Sequence, residues 1–320
     1  MKPYVILIGS ASGIGKSTVA AELAKTLNIK HLVETDFIRE VVRGIIGKEY
    51  APALHSSSYN AYTSLRNQEN YKSQAELINA GFEEHASFVL PAVERVIDRA
   101  IKDHDDIILE GVHLIPGFIN LEQFEEKASV HFFILSSDEE DHKNRFVKRA
   151  MEIRRGGKQL DYFKENRIIH DHLIEQAQKH NVPIIKTHEI DKTVKKMLSH
   201  INETCETIYL KNSVDELDKV GEIILNKYSG TIKNISYPIK GFKEPLTRKI
   251  EVSEISEYEK FSNSLEKFPE KKEELQELYN LTDYRAYLIC AINNETIEEI
   301  KKDLDEEGLL YTGKIQKNKK

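Results

Sequence analysis

The residues best equipped for chemistry lie between Val5 and Leu27, VILIGSASGIGKSTVAAELAKTL. A short apolar run, a glycine-rich loop and apolar residues at helical spacing (Val19, Ala20, Leu23, Ala24, Leu27) read as strand, loop and helix. That arrangement suits an anion. Gly13 and Gly15 let the backbone fold around it, and the first helical amides point into the same space. Lys16 adds a full positive charge where β- and γ-phosphates would lie, and Ser17 is the hydroxyl expected to hold Mg²⁺. Ser12, Gly13, Ile14, Gly15, Lys16, Ser17 and Thr18 are therefore the expected nucleotide-phosphate residues. The usual G-x4-G-K-[ST] pattern has Gly where this chain has Ser10, with Gly9 one residue earlier. A small Ser is compatible there if its backbone angles are ordinary.

Two carboxylates follow at strand ends. HLVET (31–35) reads as a strand leading into Asp36, and DIILEG (106–111) as a buried strand closing on Glu110. In an open α/β sheet, ligands bind at the carboxyl ends of the strands. Asp36 is thus a candidate to orient or deprotonate an acceptor hydroxyl, or simply the N-cap of the next helix. Glu110, beside the phosphate loop, is expected to hold Mg²⁺ through water or to orient the nucleophile. Arg39 and Arg43 share one helix face and suit a carboxylate or phosphate on the acceptor; the alternative is an exposed face paired with Glu40. Ser56, Ser57, Ser58 and Tyr59 either cap a helix or offer hydroxyls to a bound anion. His113 is either structural or a substrate contact.

Positioning these groups requires alternating elements. VHFFIL (130–135) is a further strand, followed by an arginine-rich helix, SSDEEDHKNRFVKRAMEIRRGG. Arg145 and Arg149 lie four apart on it, and Arg154 and Arg155 precede a GG break, the pattern of a lid that excludes water and brings positive charge to a transferring phosphoryl group. A solvated helix paired with Asp138, Glu139 and Glu152 is the plainer reading. One or two long helices are expected over 53–103, with Pro91 kinking or dividing the second. VPIIKT (182–187) supplies a fifth strand. Alternation of this kind gives a mostly parallel sheet with helices on both faces.

Composition narrows the alternatives. The 320 residues contain 27 basic and 30 acidic side chains in 1–205, and 19 and 23 in 206–320, so neither part is a basic platform for nucleic acid or membrane. No apolar run approaches the ~18 residues of a membrane span, and the strand beginning at Tyr4 leaves no room for a signal peptide. Cys205 and Cys290 lie far apart, with no CxxC and no His spacing. Neither a disulfide nor a zinc site is expected from them, and a reducing cytoplasm is the natural compartment.

With the segments placed, the chain resembles the archaeal 2-phosphoglycerate kinases. The resemblance is carried by SASGIGKST, ETDFIREVVR, SSSYNAY, ILEGVHLIPGF, SSDEEDHKNRFVKRA and HNVPIIKTHEIDKTV, in order, over about residues 4–198. ILEGVHLIPGF and TDFIREVVR are far more specific than the phosphate loop. The resemblance implies a P-loop small-molecule kinase that uses ATP and Mg²⁺ to phosphorylate 2-phosphoglycerate to 2,3-bisphosphoglycerate, a step toward the cyclic bisphosphoglycerate. Asp36, Arg39, Arg43, Tyr59 and His113 would then contact the acceptor, with Lys16, Glu110, Arg145 and Arg149 acting on the transfer. Family members often carry a basic segment ahead of the kinase domain, whereas this chain carries an extra domain behind it. A kinase with another acceptor, a phosphorylated polyol or nucleoside, and a nucleotide-operated binding protein are the other readings.

From Glu206 the pattern changes. TIYLKN, VDELDKVGEIILNKY, TIKNISYPI, TRKIEVSEI, a charged helical stretch over 257–281, YRAYLICAI and NETIEEIKKDLDEEGLL spell β-α-β-β-α-β and a last helix. A smaller α+β, ferredoxin-like domain is expected over 206–320, after a kinase domain over 1–205. RNA binding is disfavoured by its acidity and by the missing aromatic-basic signature. Dimerisation or effector binding is its expected role, with plain packing against the kinase domain as the alternative.

Overall fold

The computed structural model describes residues 2–152, 161–187, 189–201 and 204–313, with the side chains of 149–152 left aside. The chain divides into two compact units, Met1–Val194 and Lys195–Lys320.

The first unit is built on five strands: β1 (Tyr4–Gly9), β2 (His31–Glu34), β3 (Ile107–Gly111), β4 (Ser129–Ser136) and β5 (Ile184–Lys186). They lie in the order β2-β3-β1-β4-β5, every pairing parallel. Continuous apolar runs explain why β1 and β3 occupy the middle. Val5 to Ile8 are fully buried, and a strand covered on both faces tolerates no polar alternation. Among the described residues, eight helices belong to this part of the chain: α1 (Lys16–Thr26), α2 (Thr35–Ile45), α3 (Gln74–Ser87), α4 (Leu90–Asp103), the single turn α5 (Glu122–Glu125), α6 (Glu139–Glu152), α7 (Phe163–Lys179) and α8 (Ile190–Ile201), which crosses the boundary between the units. On α4, Leu90, Val93, Ile97, Ala100 and Ile101 form the buried stripe. Each large aliphatic buried this way contributes roughly 1.5–3 kcal/mol. Chain order passes from β1 to the outer β2, back to β3, then across to β4, so direction reverses around β1 and a crevice opens at its carboxyl end.

The helices expected over 53–103 are shorter than that span. Residues 53–73 form turns, with short 3₁₀ segments at Ala61–Ser64 and Gln68–Asn70, and Pro91 does divide the helical part, standing in the first turn of α4. Ser56–Ser58 therefore cap no α-helix. Ser73 does, its side chain accepting from the Glu76 amide at 3.1 Å. A Cβ on Gly81 would lie 2.3 Å from the Tyr62 backbone, so only glycine lets the 3₁₀ segment rest on α3.

The second unit is α+β. Strands β6 (Thr204–Leu210), β7 (Thr231–Tyr237), β8 (Leu246–Val252) and β9 (Arg285–Ala291) pair antiparallel in the order β6-β9-β7-β8. Between and after them come α9 (Leu217–Gly221, continued by a π-helical stretch to Lys227), α10 (Ile255–Lys267), α11 (Pro269–Asn280) and α12 (Asn294–Glu306). Its core gathers Ile208, Ile224, Ile232, Tyr287, Ile289, Ile297 and Ile300. The order of strands departs from the ferredoxin-like one: the last strand, and not the third, fills the gap between the first two. Alternation of elements alone leaves that choice open, because either strand satisfies the same hydrophobic faces.

Cys205 and Cys290 correct another expectation. The β6–β9 register sets them opposite each other, and they form a disulfide across a separation of 85 residues. The cysteine-based argument for a reducing compartment is thereby withdrawn. Closing a loop of that length constrains the unfolded chain by at most about 4–5 kcal/mol, less where the strands are already paired. Reduction, or Cys205→Ala, is expected to lower the melting midpoint of this unit, read by thermal denaturation with and without reductant; an unchanged midpoint would assign the bond no stabilising role. Among the described residues, no helix is long and apolar enough to cross a membrane.

Candidate active site

The loop after β1 has the shape its glycines imply. Gly13 and Gly15 take left-handed φ of 84° and 99°. Ser10 is fully buried outside that region, its hydroxyl donating to the Ala11 carbonyl, so a side chain at the first loop position introduces no strain. Gly9 is a packing requirement, since a Cβ there would meet the Leu114 carbonyl and Ile134 at 2.6 Å. Lys16 opens α1, whose first turn holds no acidic residue, and this leaves the positive end of the helix open to an anion.

Across the crevice, β3 delivers Glu110, 1% exposed. Ser17 Oγ donates to its Oε1 at 2.6 Å, and Lys16 Nζ stands 3.7 Å from Oε2, an ion pair too long to be a hydrogen bond. Oε2 is consequently buried without a hydrogen-bond partner. Burial raises the pKa of this carboxyl, with Lys16 and Ser17 pulling the other way and Glu34 and Asp36 adding to the rise. A hydroxyl and an orphaned carboxylate oxygen beside an ammonium and a phosphate-shaped loop fit a hydrated divalent cation. Among the described residues, no group of three or more His, Cys, Asp or Glu is placed to hold a metal ion.

Asp36 lies in the first turn of α2, its side chain about half exposed, and pairs with Arg39 at 2.9 Å. Arg39 also binds Glu40 at 3.0 Å. Arg43 is committed to structure: Nε donates to the Leu54 carbonyl at 2.7 Å, Nη2 to that of Ser56 at 2.6 Å, and Nη1 to Glu40 at 2.8 Å. It braces the 54–56 loop through two backbone carbonyls, whereas Arg39 spends Nε, Nη1 and Nη2 on the half-exposed carboxylates of Asp36 and Glu40 alone. The Tyr59 and Tyr162 rings lie tilted by 32° with centroids 4.7 Å apart.

His113 is not a substrate contact. It is fully buried, and its neighbours use both ring nitrogens. His85, fully buried on α3, places Nδ1 2.8 Å from the Ala53 carbonyl, which only accepts, so Nδ1 carries the hydrogen. His85 Nε2 must then accept from His113 Nε2 at 3.1 Å, and His113 Nδ1 accepts from the Thr35 hydroxyl at 2.6 Å. The chain Thr35, His113, His85, Ala53 has one consistent direction and both rings are neutral. Burial pushes His85 down to about 4 and His113 well below its usual value. This relay ties α2, which carries Asp36 and Arg39, to the loop after β3 and to α3. Sequence reasoning missed His85 because its spacing from Ile78 and Phe82 marks only a buried helix face.

The first half of α6 packs on the phosphate loop. Arg145 Nη1 donates to the Ile14 carbonyl and, at 2.7 Å, to Thr187 Oγ1, while Nη2 donates to the Thr187 carbonyl at 2.8 Å. His142 Nε2 donates to the Ser12 carbonyl at 2.8 Å, and burial lowers its pKa to about 4. The Phe146 ring lies 2.2 Å from where a Gly13 Cβ would stand. In this structure the Arg145 guanidinium, expected on a lid, is bonded to the loop backbone at Ile14 and to Thr187. The Arg149 side chain, with Arg154, Arg155 and the GG break, lies outside the described residues.

A parallel sheet in this order, with its glycine loop, lysine and facing carboxylate at the central strand, defines a P-loop nucleotide-binding domain of the α/β class. A protein of Methanocaldococcus jannaschii named 2-phosphoglycerate kinase is 38% identical over 222 residues, 69% of this chain and 70% of its own length. One of Methanothermobacter thermautotrophicus with the same name is 41% identical over 207 residues, covering 63% and 67%. The chain belongs to the 2-phosphoglycerate kinase family. A solved shikimate kinase from Bacteroides thetaiotaomicron covers 63% of this chain and 99% of its own at 14% identity, with a TM-score of 0.34. A model described as the 3H domain matches residues 205–313. All 12 histidines of this chain precede residue 201.

Proposed function

We propose that the protein transfers the γ-phosphoryl group of ATP to 2-phosphoglycerate, giving 2,3-bisphosphoglycerate. The observation that carries the reading is the meeting of Lys16, Ser17 and an under-bonded Glu110 at the mouth of the loop, in a chain of this family. Lys16 and the loop amides hold the β- and γ-phosphates and stabilise charge as it shifts. Ser17 and Glu110 would hold Mg²⁺, which neutralises phosphate charge and fixes the γ-phosphoryl group for in-line attack. Asp36 orients the acceptor hydroxyl, and Arg39 exchanges its half-exposed partner Glu40 for the acceptor's carboxylate or phosphate. Residues 1–205 form the catalytic part in this proposal, 206–320 an accessory part that serves dimerisation or effector binding, and the setting is cytoplasmic.

The test is ADP release from ATP·Mg²⁺ with and without 2-phosphoglycerate, beside a Lys16→Ala control. Strong stimulation with a bisphosphorylated product supports the proposal. Release unaffected by the acceptor sinks the choice of acceptor, and steady acceptor-free hydrolysis favours a nucleotide-operated binding protein.

Arg145 offers a separate check. Losing charge-assisted bonds worth about 1.5 kcal/mol at the loop, Arg145→Ala is expected to raise KM for ATP roughly tenfold. Its kcat should change less. A large fall in kcat at unchanged KM would return Arg145 to the transition state.

A further inference from the structure

Helix α2 presents a row of large apolar side chains to solvent. Phe37, Val41 and Ile45 are 68%, 65% and 79% exposed, and Tyr50, in the turn that follows, is 80% exposed. Four-residue spacing sets the first three on one face, one above the next. It is not the face the fold uses, since Ile38 and Val42 are the apolar positions of α2 that are buried. At about 100° per residue, Arg39 and Arg43 stand on the side nearly opposite to Val41, so a partner on this row leaves Asp36 and Arg39 free. Gly44 is exposed on the same side. Its φ lies outside the left-handed region and an added Cβ would meet nothing within 4 Å, so neither backbone angle nor internal packing asks for glycine there.

A monomer seldom exposes more than a few hundred Å² of contiguous apolar surface. At these exposures the three helix side chains leave roughly 400 Å² in water, and Tyr50 brings the total to roughly 550 Å². Two copies meeting here would bury about 1,000 Å² from those four residues alone, the size at which specific interfaces begin. The row also has the symmetry that a two-fold contact demands, because an isologous interface must be complementary to itself. Phe37 and Ile45 stand four residues either side of Val41. Two antiparallel copies of α2 crossing at Val41 therefore set Phe37 against the partner's Ile45, and Val41 against the partner's Val41. Gly44, beside the crossing, lets the two backbones come close. A foreign protein would need no such symmetry.

We propose that this face of α2 is a dimer interface, occupied by the same face of a second copy, antiparallel and centred on Val41. The contact is made by the first unit, is separate from any association through residues 206–320, and does not depend on which acceptor is phosphorylated. Each copy thereby braces the helix that carries Asp36 and Arg39 in the other.

The experiment is sedimentation of the full chain over a concentration series reaching about 100 µM, where a reversible dimer with a Kd of about 10 µM or tighter is expected. Val41→Glu sets two like charges face to face at the two-fold axis and is expected to raise that Kd by about a hundredfold or more, with the circular dichroism spectrum unchanged. Phe37→Lys and Ile45→Glu then test the antiparallel arrangement. Each variant alone should be monomeric at about 10 µM, and an equimolar mixture should recover dimer, because the mixed pair keeps one Phe37–Ile45 contact and replaces the other with opposite charges. That mixing result decides the matter if Val41→Glu fails to fold. A parent chain that stays monomeric to about 100 µM overturns the proposal and leaves the face to a different protein. A dimer untouched by Val41→Glu overturns it in favour of another surface of this chain, and a mixture no more dimeric than its components overturns the antiparallel pairing.

Discussion

Glu110→Gln is expected to lower kcat by a factor on the order of 10²–10³ while leaving the fold as stable as before, or more so. The two halves of this expectation come from one fact. A carboxylate 1% exposed, with its pKa raised by burial, is held in the charged form against its solvation preference, so neutral Gln relieves a cost in the folded state. The charge it removes is the one that faces Lys16 and, in the proposed reaction, the cation held with Ser17. Steady-state kinetics across a Mg²⁺ titration, beside urea denaturation, separates the effects. A variant that loses activity only because it unfolds would contradict the argument, as would one that keeps wild-type kcat.

Acid is expected to unfold the first unit sharply. His85 has a folded pKa of about 4 against an ordinary value near 6.5, so the unfolded chain takes up the proton first as pH falls. Stability from this group is complete above about pH 6.5, declines as pH drops toward 4, and amounts to about 3 kcal/mol. His113 and His142 are shifted in the same direction, also by burial, and add to the slope. Glu110, with a raised pKa, acts oppositely and gains stability as acid neutralises it. Three histidines outweigh one carboxyl. With a net stability of only about 5–15 kcal/mol for a typical protein, urea midpoints should collapse between pH 6.5 and 4.5, and His85→Gln should flatten that dependence. A flat profile in the parent chain would sink the assignment of neutral, hydrogen-bonded rings.

The five strands of the first unit, the phosphate loop and Glu110 were legible because each rests on local pattern: an apolar run, glycines at fixed spacing, an acid at a strand end. Position within a sheet is harder to read. Strand order in the second unit and the Cys205–Cys290 pairing depend on which strand enters a gap, and no single segment encodes that. Side-chain commitments were hardest of all. Arg43, Arg145 and His113 have the types and spacing of site residues, but carbonyls at Leu54, Ser56, Ile14 and Thr187, and the ring of His85, claim them first. Such partners are distant in sequence and carry no signature of their own. Asp36 and Arg39 remain together where the strand-end argument put them.

The cross-strand bond between Cys205 and Cys290 also sets how the molecule responds to mechanical load. Pulled from its two ends, the chain would transmit force through the bond and past the intervening 85-residue separation. At about 3.5 Å per residue, roughly 300 Å of contour would stay hidden until a reductant is added. A force-extension trace of the second unit would therefore lengthen on reduction by a step that reports, molecule by molecule, whether the bond is closed.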